Sequence, residues 1–502
     1  MIHLSKSKFL NLRQCPKRYW LNENSPELAF YDSSEEARFE AGNEVGDLAC
    51  GLFGPFVNVE AFKEDGQIDV PAMLKRTAEE IDKGTDVICE AAFSYKGMYC
   101  AVDILRRDPE NPEGWLLYEV KSSTHNEKDV YIADVAYQKY VLEHLGLRVN
   151  CVFTVCINSD YVFDGTIDLK QFFKVVDVTD KALGAMETIP KSLSVAEEIS
   201  GSDTEPEIDI GKQCFTPYDC PFWEHCSKSL PTPSVFDLTL MPLERRVNYY
   251  KKGVLSFEDL AATGDSFSER LTRQVDYALH DQGAYIDKEG IRSFLKTLSY
   301  PLYFLDFETM MLPVPKYPGT KPYQQIPFQY SLHYIEYEGG PLMHREFLGD
   351  SVHDPRRAIA ESLCRDIPAD VCVTAYNMSF ESSRLRELAK DFPDLAEHLI
   401  SIAANLRDFI DPFRQGFYYN AAMGGSFSIK SVLPALFPDD PSLDYHNLEG
   451  VHNGNEAKEI YPLIADMSPA DQELTRKSLL KYCELDTYAM VRVWQELERV
   501  SH

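Results

Sequence analysis

Residues 98–123 read MYCAVDILRRDPENPEGWLLYEVKSS, and this stretch decides the fold expected for the first half of the chain. The apolar segments MYCAVDIL and WLLYEVKSS predict two neighbouring strands. Asp103 lies in the middle of the first strand, and Glu119 and Lys121 lie two residues apart on the second. Side chains two apart on a strand point to the same face, so we expect Glu119 and Lys121 to reach one site.

These three side chains have the chemistry of a hydrolytic phosphodiesterase site. Asp103 and Glu119 can hold Mg²⁺ or Mn²⁺, with the carbonyl of Val120 as a further oxygen ligand. Lys121 can orient or activate a water molecule and offset phosphate charge. The alternative is that Glu119 and Lys121 are solvated residues on an exposed strand face. Their apolar neighbours disfavour this alternative, because burying an unpaired charge is costly.

The surrounding segments predict an α/β sheet with flanking helices. We expect helices over 5–20, 71–83 and 131–145, and further strands at VICEAAFSY and VNCVFTVCI. The order of helix, strands, helix and strand suits this α/β architecture. The acidic stretch 189–211 is rich in Ser, Pro and Gly and predicts a loop.

The first half resembles the PD-(D/E)XK nuclease superfamily, in particular its RecB-like exonuclease branch. Four segments match in order, namely LSKSKFLNLRQCPKRYWL, CEAAF, VDIL…YEVKSS and DVAYQKYVL. The resemblance implies a restriction-endonuclease-like core over residues 1–230. It also places Gln138 beside the active site and makes Glu90 a further candidate.

One position departs from the pattern of this family. Many members have a metal-binding His in a G-x-x-V-H segment, whereas this chain reads GNEVGD from Gly42 to Asp47. Gly46 takes the place of the His. Glu44 or Asp47 would then supply the ligand, or the site lacks it.

Three of the 12 cysteines are clustered in the sequence, at Cys214, Cys220 and Cys226. Three thiolates need a fourth ligand, and Cys15 is the natural partner. Four thiolates can hold Zn²⁺ or a [4Fe–4S] cluster, and the spacing leaves both open. The layout is similar to iron–sulfur members of the RecB-like branch, although their first gap is typically shorter. His225 keeps a mixed ligand set open, and unrelated buried thiols are the alternative.

A second set of acidic side chains is spread over three segments of the second half. In YFLDFET, Asp306 and Glu308 lie two apart on one strand, and TAYNMSFESSRL places Glu381 at a strand-to-helix junction. LLKYCELDTYAM puts Tyr482 and Asp486 on one face of a helix. Four carboxylates and a tyrosine fit a two-metal phosphodiesterase, in which the tyrosine positions the attacking water.

This ordered set resembles the DEDD exonucleases of the RNase H-like fold, in their tyrosine variant. The family has D-x-E on the first strand, N-x-x-(F/Y)-D in the middle and Y-x3-D on the last helix. The resemblance covers residues 299–502 and implies 3′–5′ exonuclease chemistry. Glu381 stands where the family usually has Asp, so Asp408 and Asp411 are alternative third ligands.

The net charge limits how the chain can bind nucleic acid. The 50 basic and 80 acidic residues give −30, which argues against a protein that coats nucleic acid by charge alone. It is compatible with a nuclease, whose sites concentrate carboxylates around metal ions. Contacts with nucleic acid should therefore be local. The first thirty residues form a candidate basic patch, with Lys6, Lys8, Arg13, Lys17 and Arg18.

The sequence as a whole predicts a metal-dependent nuclease with two sites, acting on DNA and cleaving from an end. A helical connector over 231–298 is expected between the two catalytic domains. No stretch approaches the ~18 apolar residues that span a bilayer, and the N-terminus lacks a signal-peptide core, so we expect a cytoplasmic protein without membrane contact. The alternative function is a nucleic-acid-binding or scaffold protein whose nuclease sites are degenerate.

Overall fold

The computed structural model describes residues 3–31, 34–280 and 282–502 and has a mixed α/β architecture. The chain divides into two units. The first is Met1–Ser229 with Leu312–Gln324, and the second is Leu230–Met311 with Gln325–His502. Within the described ranges, no helix combines the length and the apolar character needed to cross a membrane.

The first unit is built on a mixed sheet. In chain order its strands are β1 (Leu4–Ser5), β2 (Val57–Asn58), β3 (Val87–Tyr95), β4 (Met98–Arg107), β5 (Trp115–Lys121), β6 (Val149–Ile157) and β7 (Phe173–Asp177). The sheet order is β2-β3-β4-β5-β6-β7, and β1 lies parallel to β4. Neighbours among β3, β4 and β5 are antiparallel, whereas β5 and β6 are parallel and therefore need a crossover helix between them.

Helices cover both faces of this sheet. They are α1 (Lys6–Gln14), α2 (Pro16–Asn24), α3 (Ser34–Cys50), α4 (Val70–Lys83), α5 (Asp129–His144), α6 (Leu169–Phe172), α7 (Thr179–Met186), α8 (Ile189–Ser200) and α9 (Trp223–Ser227). The crossover helix is α5. Leu117 of β5 belongs to one apolar core, whereas its neighbours Leu116 and Tyr118 belong to another. The unbroken apolar run in β5 reflects this burial on both sides.

Two predicted segments of the first unit differ in the structure. The helix expected over 5–20 is interrupted at Cys15, and Pro16 begins a second helix because proline favours the first helical turn. The loop expected over 189–211 begins with α8 instead. The buried residues of α8 are Ile189, Ala196 and Ile199. They are few and stand among acidic and serine residues, so the apolar periodicity of a helix is weak in this stretch.

The second unit contains another mixed sheet. Its strands are β8 (Ala284–Ile286), β9 (Leu302–Met310), β10 (Ile326–Ile335), β11 (Met343–Leu348), β12 (Cys372–Ala375), β13 (Leu406–Asp408) and β14 (Tyr418–Asn420). The main sheet has the order β11-β10-β9-β12-β13, and β8 pairs with β14 apart from it. β10 is antiparallel to β9 and β11, whereas β9, β12 and β13 are parallel.

The helices of the second unit end with a long one that contributes to the site described below. They are α10 (Leu243–Lys251), α11 (Phe257–Ala262), α12 (Glu269–His280), α13 (Lys288–Leu295), α14 (Arg356–Asp366), α15 (Ser379–Asp391), α16 (Ala396–Ala404), α17 (Asp411–Arg414), α18 (Ile429–Leu436), α19 (Gly454–Ile460) and α20 (Pro469–Ser501). Ser468 caps α20 by accepting a hydrogen bond from the N–H of Asp471.

The stretch 231–298, predicted as a connector, belongs to the second unit. Its strand β8 pairs with β14 through Tyr285 and Tyr419. Its Gln274 donates a 3.0 Å hydrogen bond to the carbonyl of Gly424. The helices expected there are present, but contacts with much later residues make them part of a larger fold.

Candidate active sites

The first candidate site lies where β4 and β5 run side by side. Ile104 pairs with Tyr118 across these antiparallel strands, so Asp103 and Glu119 are the next two residues that lie opposite each other. The carboxylate of Asp103 accepts a 2.7 Å hydrogen bond from the N–H of Val120. Glu119 is only 1% exposed, so its charge must be satisfied within the protein.

Helix α5 and the end of β5 satisfy Glu119. The Gln138 amide donates to Glu119 Oε2 at 2.6 Å. Lys121 Nζ donates to Glu119 Oε1 at 2.6 Å and to Asp134 Oδ2 at 2.7 Å. The structure therefore brings Asp103, Glu119, Lys121 and Gln138 into one cluster.

Asp134 belongs to this cluster although the sequence analysis did not find it. It is 2% exposed, and it accepts a 2.9 Å hydrogen bond from Gln138 as well as the one from Lys121. Asp134 precedes Gln138 by four residues, which places both on one face of α5. That spacing is the signal that could have indicated it.

Lys6 reaches the same cluster from the start of α1. Its Nζ lies 2.8 Å from Glu119 Oε1 and 3.5 Å from Asp103 Oδ1. The sequence indicates Lys6 only as one member of a basic patch. Another member, Lys8, pairs instead with Glu23 at 2.8 Å. Position along the helix therefore separates a lysine of the site from a lysine of the surface.

Burial and close charges set the protonation of this cluster. Burial, together with Asp103 and Asp134, raises the pKa of Glu119 to about 7. Burial alone would lower the pKa of Lys121, but Asp134 and Glu119 outweigh it and hold that pKa above its ordinary value. Lys121 therefore stays protonated, whereas the negative charge of Glu119 is favoured by the neighbouring ammonium groups of Lys121 and Lys6.

Of the remaining candidates from this half, Glu90 lies near the cluster, whereas Glu44 and Asp47 do not share its burial. Glu90 on β3 has a φ of 57°, which non-glycine residues rarely adopt. Burial and the charge of Asp103 raise the pKa of Glu90 to about 8. Glu44 and Asp47 are exposed on α3, so the structure gives neither a place among the buried carboxylates.

The four cysteines predicted to act together line one pocket of the first unit. Gln14 donates hydrogen bonds to the carbonyls of Gln213 at 2.8 Å and Tyr218 at 2.7 Å, which ties the start of the chain to the cysteine loop. His225 pairs with Glu205 at 2.9 Å. The cysteines that line the pocket are Cys15, Cys214, Cys220 and Cys226.

These thiols are spread more widely than the ligands of a single zinc ion. With Zn–S bonds of ~2.3 Å, sulfur atoms at a tetrahedral zinc lie ~3.8 Å apart. In the part of the chain that the structure describes, no three of these sulfur atoms lie within 4.8 Å of one another. As the structure places them, these thiols do not have the spacing of a single zinc site.

The second candidate site is formed by β9 and α20. Asp306, Glu308 and Asp486 each offer a carboxylate oxygen, and these oxygens lie within 4.8 Å of one another. Asp306 and Glu308 share one face of β9, and Tyr482 lies one turn before Asp486 on α20. Segments far apart in the sequence thus place three acidic groups together.

Two further residues at this site escaped the sequence analysis. Tyr445, in a short helical turn, donates a 2.6 Å hydrogen bond to Asp486 Oδ1. Lys430 of α18 lies 5.8 Å from the centre of the Tyr445 ring, and its charge lowers the pKa values of Glu308 and Asp486. The local sequence around either residue carries no catalytic pattern, so only the fold reveals them.

Burial dominates the protonation of the second site, and repulsion between the carboxylates adds to it for Asp306 and Glu308. Burial and the charge of Asp486 raise the pKa values of Asp306 and Glu308 well above their ordinary range. Burial raises the pKa of Asp486 to about 6, against the opposing hydrogen bond from Tyr445. Burial and Asp486 also raise the pKa of Tyr482, which keeps it a phenol. Acidic groups held this close favour a divalent cation.

The structure distinguishes Glu381 from the alternative third ligands. Glu381 is 2% exposed, and its Oε2 has no hydrogen-bond partner among the residues that the structure describes. Asp408, in contrast, accepts the N–H of Asn377 at 2.9 Å, and Arg414 lies 2.5 Å from Asp411 and 3.2 Å from Asp408. Glu381 is not within 4.8 Å of the other three oxygens, but it is the candidate with an unpaired buried oxygen.

A cleft of about 990 Å³ opens beside this site. Lys430 and Tyr445 line it and connect it to the carboxylate group. Two of its acidic side chains are already engaged, because Asp440 pairs with Arg492 and Glu456 accepts a hydrogen bond from Asn453. Further lining residues are Pro434, Phe437, Pro438, Pro441, Leu443, His446 and His452.

Comparison with known proteins adds one match. Residues 303–428 match a family model described as a domain of unknown function (DUF2779). The matched stretch includes Asp306, Glu308 and Glu381 and ends before Tyr482 and Asp486. A comparison with curated proteins found no match.

Proposed function

We propose that this protein is a metal-dependent nuclease that hydrolyses phosphodiester bonds, with one site in each unit. The observation that carries the proposal is the group of Asp306, Glu308 and Asp486, whose oxygens lie within 4.8 Å of one another. Oxygen ligands of this kind suit Mg²⁺ or Mn²⁺. When bound, such cations activate the attacking water and stabilise the leaving oxygen.

The side chains around this group have separate roles in the proposed reaction. Tyr482 keeps its proton and can therefore orient the attacking water by hydrogen bonding. Tyr445 fixes one oxygen of Asp486 by its hydrogen bond and so orients this carboxylate. Lys430 offers a positive charge to the phosphate at the mouth of the cleft. Glu381 would complete the ligand set.

The first unit would act through Asp103, Glu119 and Lys121. The two carboxylates hold the cation, and the Lys121 ammonium, fixed by Asp134 at 2.7 Å, orients the water and neutralises the phosphate. Gln138 holds Glu119 in place at 2.6 Å. This arrangement follows the roles implied by the PD-(D/E)XK resemblance.

The strand arrangements support the two folds that the proposal assigns. In the first unit, Asp103 and Glu119 lie on the adjacent inner strands β4 and β5, followed by the crossover helix α5, as in a restriction-endonuclease-like core. In the second unit, the sheet order β11-β10-β9-β12-β13 with β10 reversed supports an RNase H-like core. Asp306 and Glu308 then lie on the central strand.

We assign the four-cysteine pocket to a [4Fe–4S] cluster rather than to zinc. The support is the wide spacing of the thiols and the convergence of Cys15 with the later three. Such a group would join the two ends of the first unit and stabilise it by closing a long loop. The cluster has no part in the proposed hydrolysis.

The substrate that the cleft favours is a single-stranded nucleic-acid end, with DNA as the expected substrate. A strand end needs few phosphate contacts, which agrees with a net charge of −30. The half-buried ring of Phe437 in the cleft offers a surface on which a base can stack. A duplex bound by charge along its length would need more free cations.

The experiment is cleavage of end-labelled DNA and RNA with Mg²⁺ or Mn²⁺ by the full chain. Asp306→Asn should remove 3′–5′ shortening, Lys121→Ala should remove a second activity, and the double variant should be inert. Cleavage by the double variant equal to wild type would mean that neither site is catalytic. Tight nucleic-acid binding without cleavage by the wild type would instead favour a scaffold.

A further inference from the structure

We propose that the Lys6 ammonium competes with the divalent cation of the first site, and that cation binding releases Lys6 toward the substrate phosphate. The inference rests on the proposed nuclease function of that site. Lys6 Nζ lies between the two proposed ligands, 2.8 Å from Glu119 Oε1 and 3.5 Å from Asp103 Oδ1. An ammonium group in this position uses the oxygens that a cation needs.

The other oxygen of each carboxylate is already engaged. Asp103 Oδ2 accepts the N–H of Val120 at 2.7 Å, and Glu119 Oε2 accepts the amide of Gln138 at 2.6 Å. Asp103 Oδ1 contacts only Lys6 among the ion pairs of the described residues, and Glu119 Oε1 contacts both Lys6 and Lys121, so a cation shared by these two oxygens would take the place of Lys6. These are the same two oxygens that Lys6 contacts, so both cations draw on one pair of ligands.

Lys6 is anchored through its backbone, and its side chain is partly exposed. Leu4, two residues earlier, donates its N–H to the carbonyl of Gly97 at 2.9 Å, and its carbonyl accepts a hydrogen bond from Tyr137. The Lys6 side chain is 25% exposed, and a lysine stem has four rotatable bonds. Displacement of the tip therefore leaves the start of α1 in place.

The second lysine of the site cannot be exchanged in the same way. Lys121 Nζ is held by Asp134 at 2.7 Å in addition to Glu119. Lys6, in contrast, pairs only with the two proposed ligands Asp103 and Glu119 among the ion pairs of the described residues. A divalent cation carries two positive charges and Lys6 carries one, so the two carboxylates favour the divalent cation over the ammonium group. The displaced Lys6 ammonium group is then free to contact the phosphate of the substrate.

The test uses the full chain with Asp306→Asn throughout, so that the second site is silent. Lys6→Met keeps the length of the side chain and removes its charge. Mn²⁺ affinity, measured by electron paramagnetic resonance, should increase on the order of tenfold in Lys6→Met. At saturating Mn²⁺, cleavage by this variant should be slower, because no ammonium group reaches the phosphate.

The matched control is Lys8→Met, which removes the same charge from the same helix. Lys8 pairs with Glu23 at 2.8 Å, away from the cluster, so Mn²⁺ affinity should stay within about twofold of the parent. Unchanged Mn²⁺ affinity in Lys6→Met would overturn the competition, and undiminished cleavage at saturation would overturn the release step. The proposed function of the first site would itself be overturned if Asp103→Asn removed no Mn²⁺ binding from the parent protein.

Discussion

Tyr445 donates a 2.6 Å hydrogen bond to Asp486 Oδ1, from a turn that precedes α20 by more than twenty residues. The bond fixes the carboxylate that α20 contributes to the second site. Tyr445→Phe should therefore slow cleavage by the second site by roughly tenfold or more, because Asp486 loses its orientation. The measurement is kcat for 3′–5′ shortening of labelled DNA.

The control for this variant is another tyrosine of the same unit. Tyr330 donates a 2.6 Å hydrogen bond to Asp366, outside the carboxylate group. Tyr330→Phe should cost about 1 kcal/mol of stability, as Tyr445→Phe does, and leave kcat unchanged. Equal loss of activity in both variants would show that Tyr445 acts on stability alone.

Asp134 should be as important to the first site as its predicted ligands. Asp134→Asn keeps the shape of the side chain but removes the charge that holds Lys121. Cleavage by the first site should fall by about 10–100-fold, measured with the second site silenced by Asp306→Asn. Asp129→Asn, at the exposed start of the same helix, should leave cleavage unchanged. Full activity in Asp134→Asn would reduce Asp134 to a packing residue.

Stability without divalent cations should fall as the pH rises. Burial raises the pKa of Glu381 to about 8, above its value in the unfolded chain. Between these two values the folded state binds the proton more tightly, so the free energy of unfolding decreases as the pH increases. In EDTA, the urea midpoint should be higher at about pH 5.5 than at about pH 8.

Glu381→Gln isolates the contribution of this residue from that of the other acidic groups. Between about pH 5.5 and about pH 8, the unfolding free energy of the variant should fall by about 1 kcal/mol or more less than that of the wild type. Glu473→Gln, which removes an exposed carboxylate on α20, should not change the pH dependence. Identical pH dependence in Glu381→Gln and the wild type would mean that Glu381 is not a buried, proton-binding group.

The cysteine pocket makes a prediction about metal content. Protein purified without oxygen should be brown and contain iron and sulfide, and Cys214→Ser should remove both and lower the thermal midpoint. Cys364→Ser changes a thiol outside the pocket and should keep the colour. A colourless protein with one equivalent of zinc would contradict the iron–sulfur assignment and support a zinc site.

The sequence predicted what depends on local pattern. Glu119 and Lys121 were predicted to share a site because strand geometry places alternate residues on one face, and Asp103 was predicted to join them from the neighbouring strand. Tyr482 and Asp486 were predicted in the same way from helical spacing. The long helices and apolar strands around them were predicted from their periodicity.

The sequence did not predict what depends on tertiary contact. Lys6 and Tyr445 lie far from their carboxylate partners along the chain, and nothing in their neighbourhoods distinguishes them from surface residues. The stretch 231–298 was predicted as a connector because its helices are polar, but pairing of β8 with β14 joins it to the second fold. Such contacts follow from the path of the whole chain.

The segment Leu312–Gln324 leaves the second unit after β9 and completes the first. There the carbonyl of Thr320 accepts the N–H of Phe163 at 2.9 Å, and the hydroxyl groups of Tyr323 and Ser122 lie 2.9 Å apart. During synthesis, the first unit consequently lacks part of its structure until the ribosome has added the residues that follow β9. The first unit can therefore complete its fold only after synthesis of the second unit has begun. A nascent chain released at residue 230 would lack Leu312–Gln324 and the contacts that this segment makes.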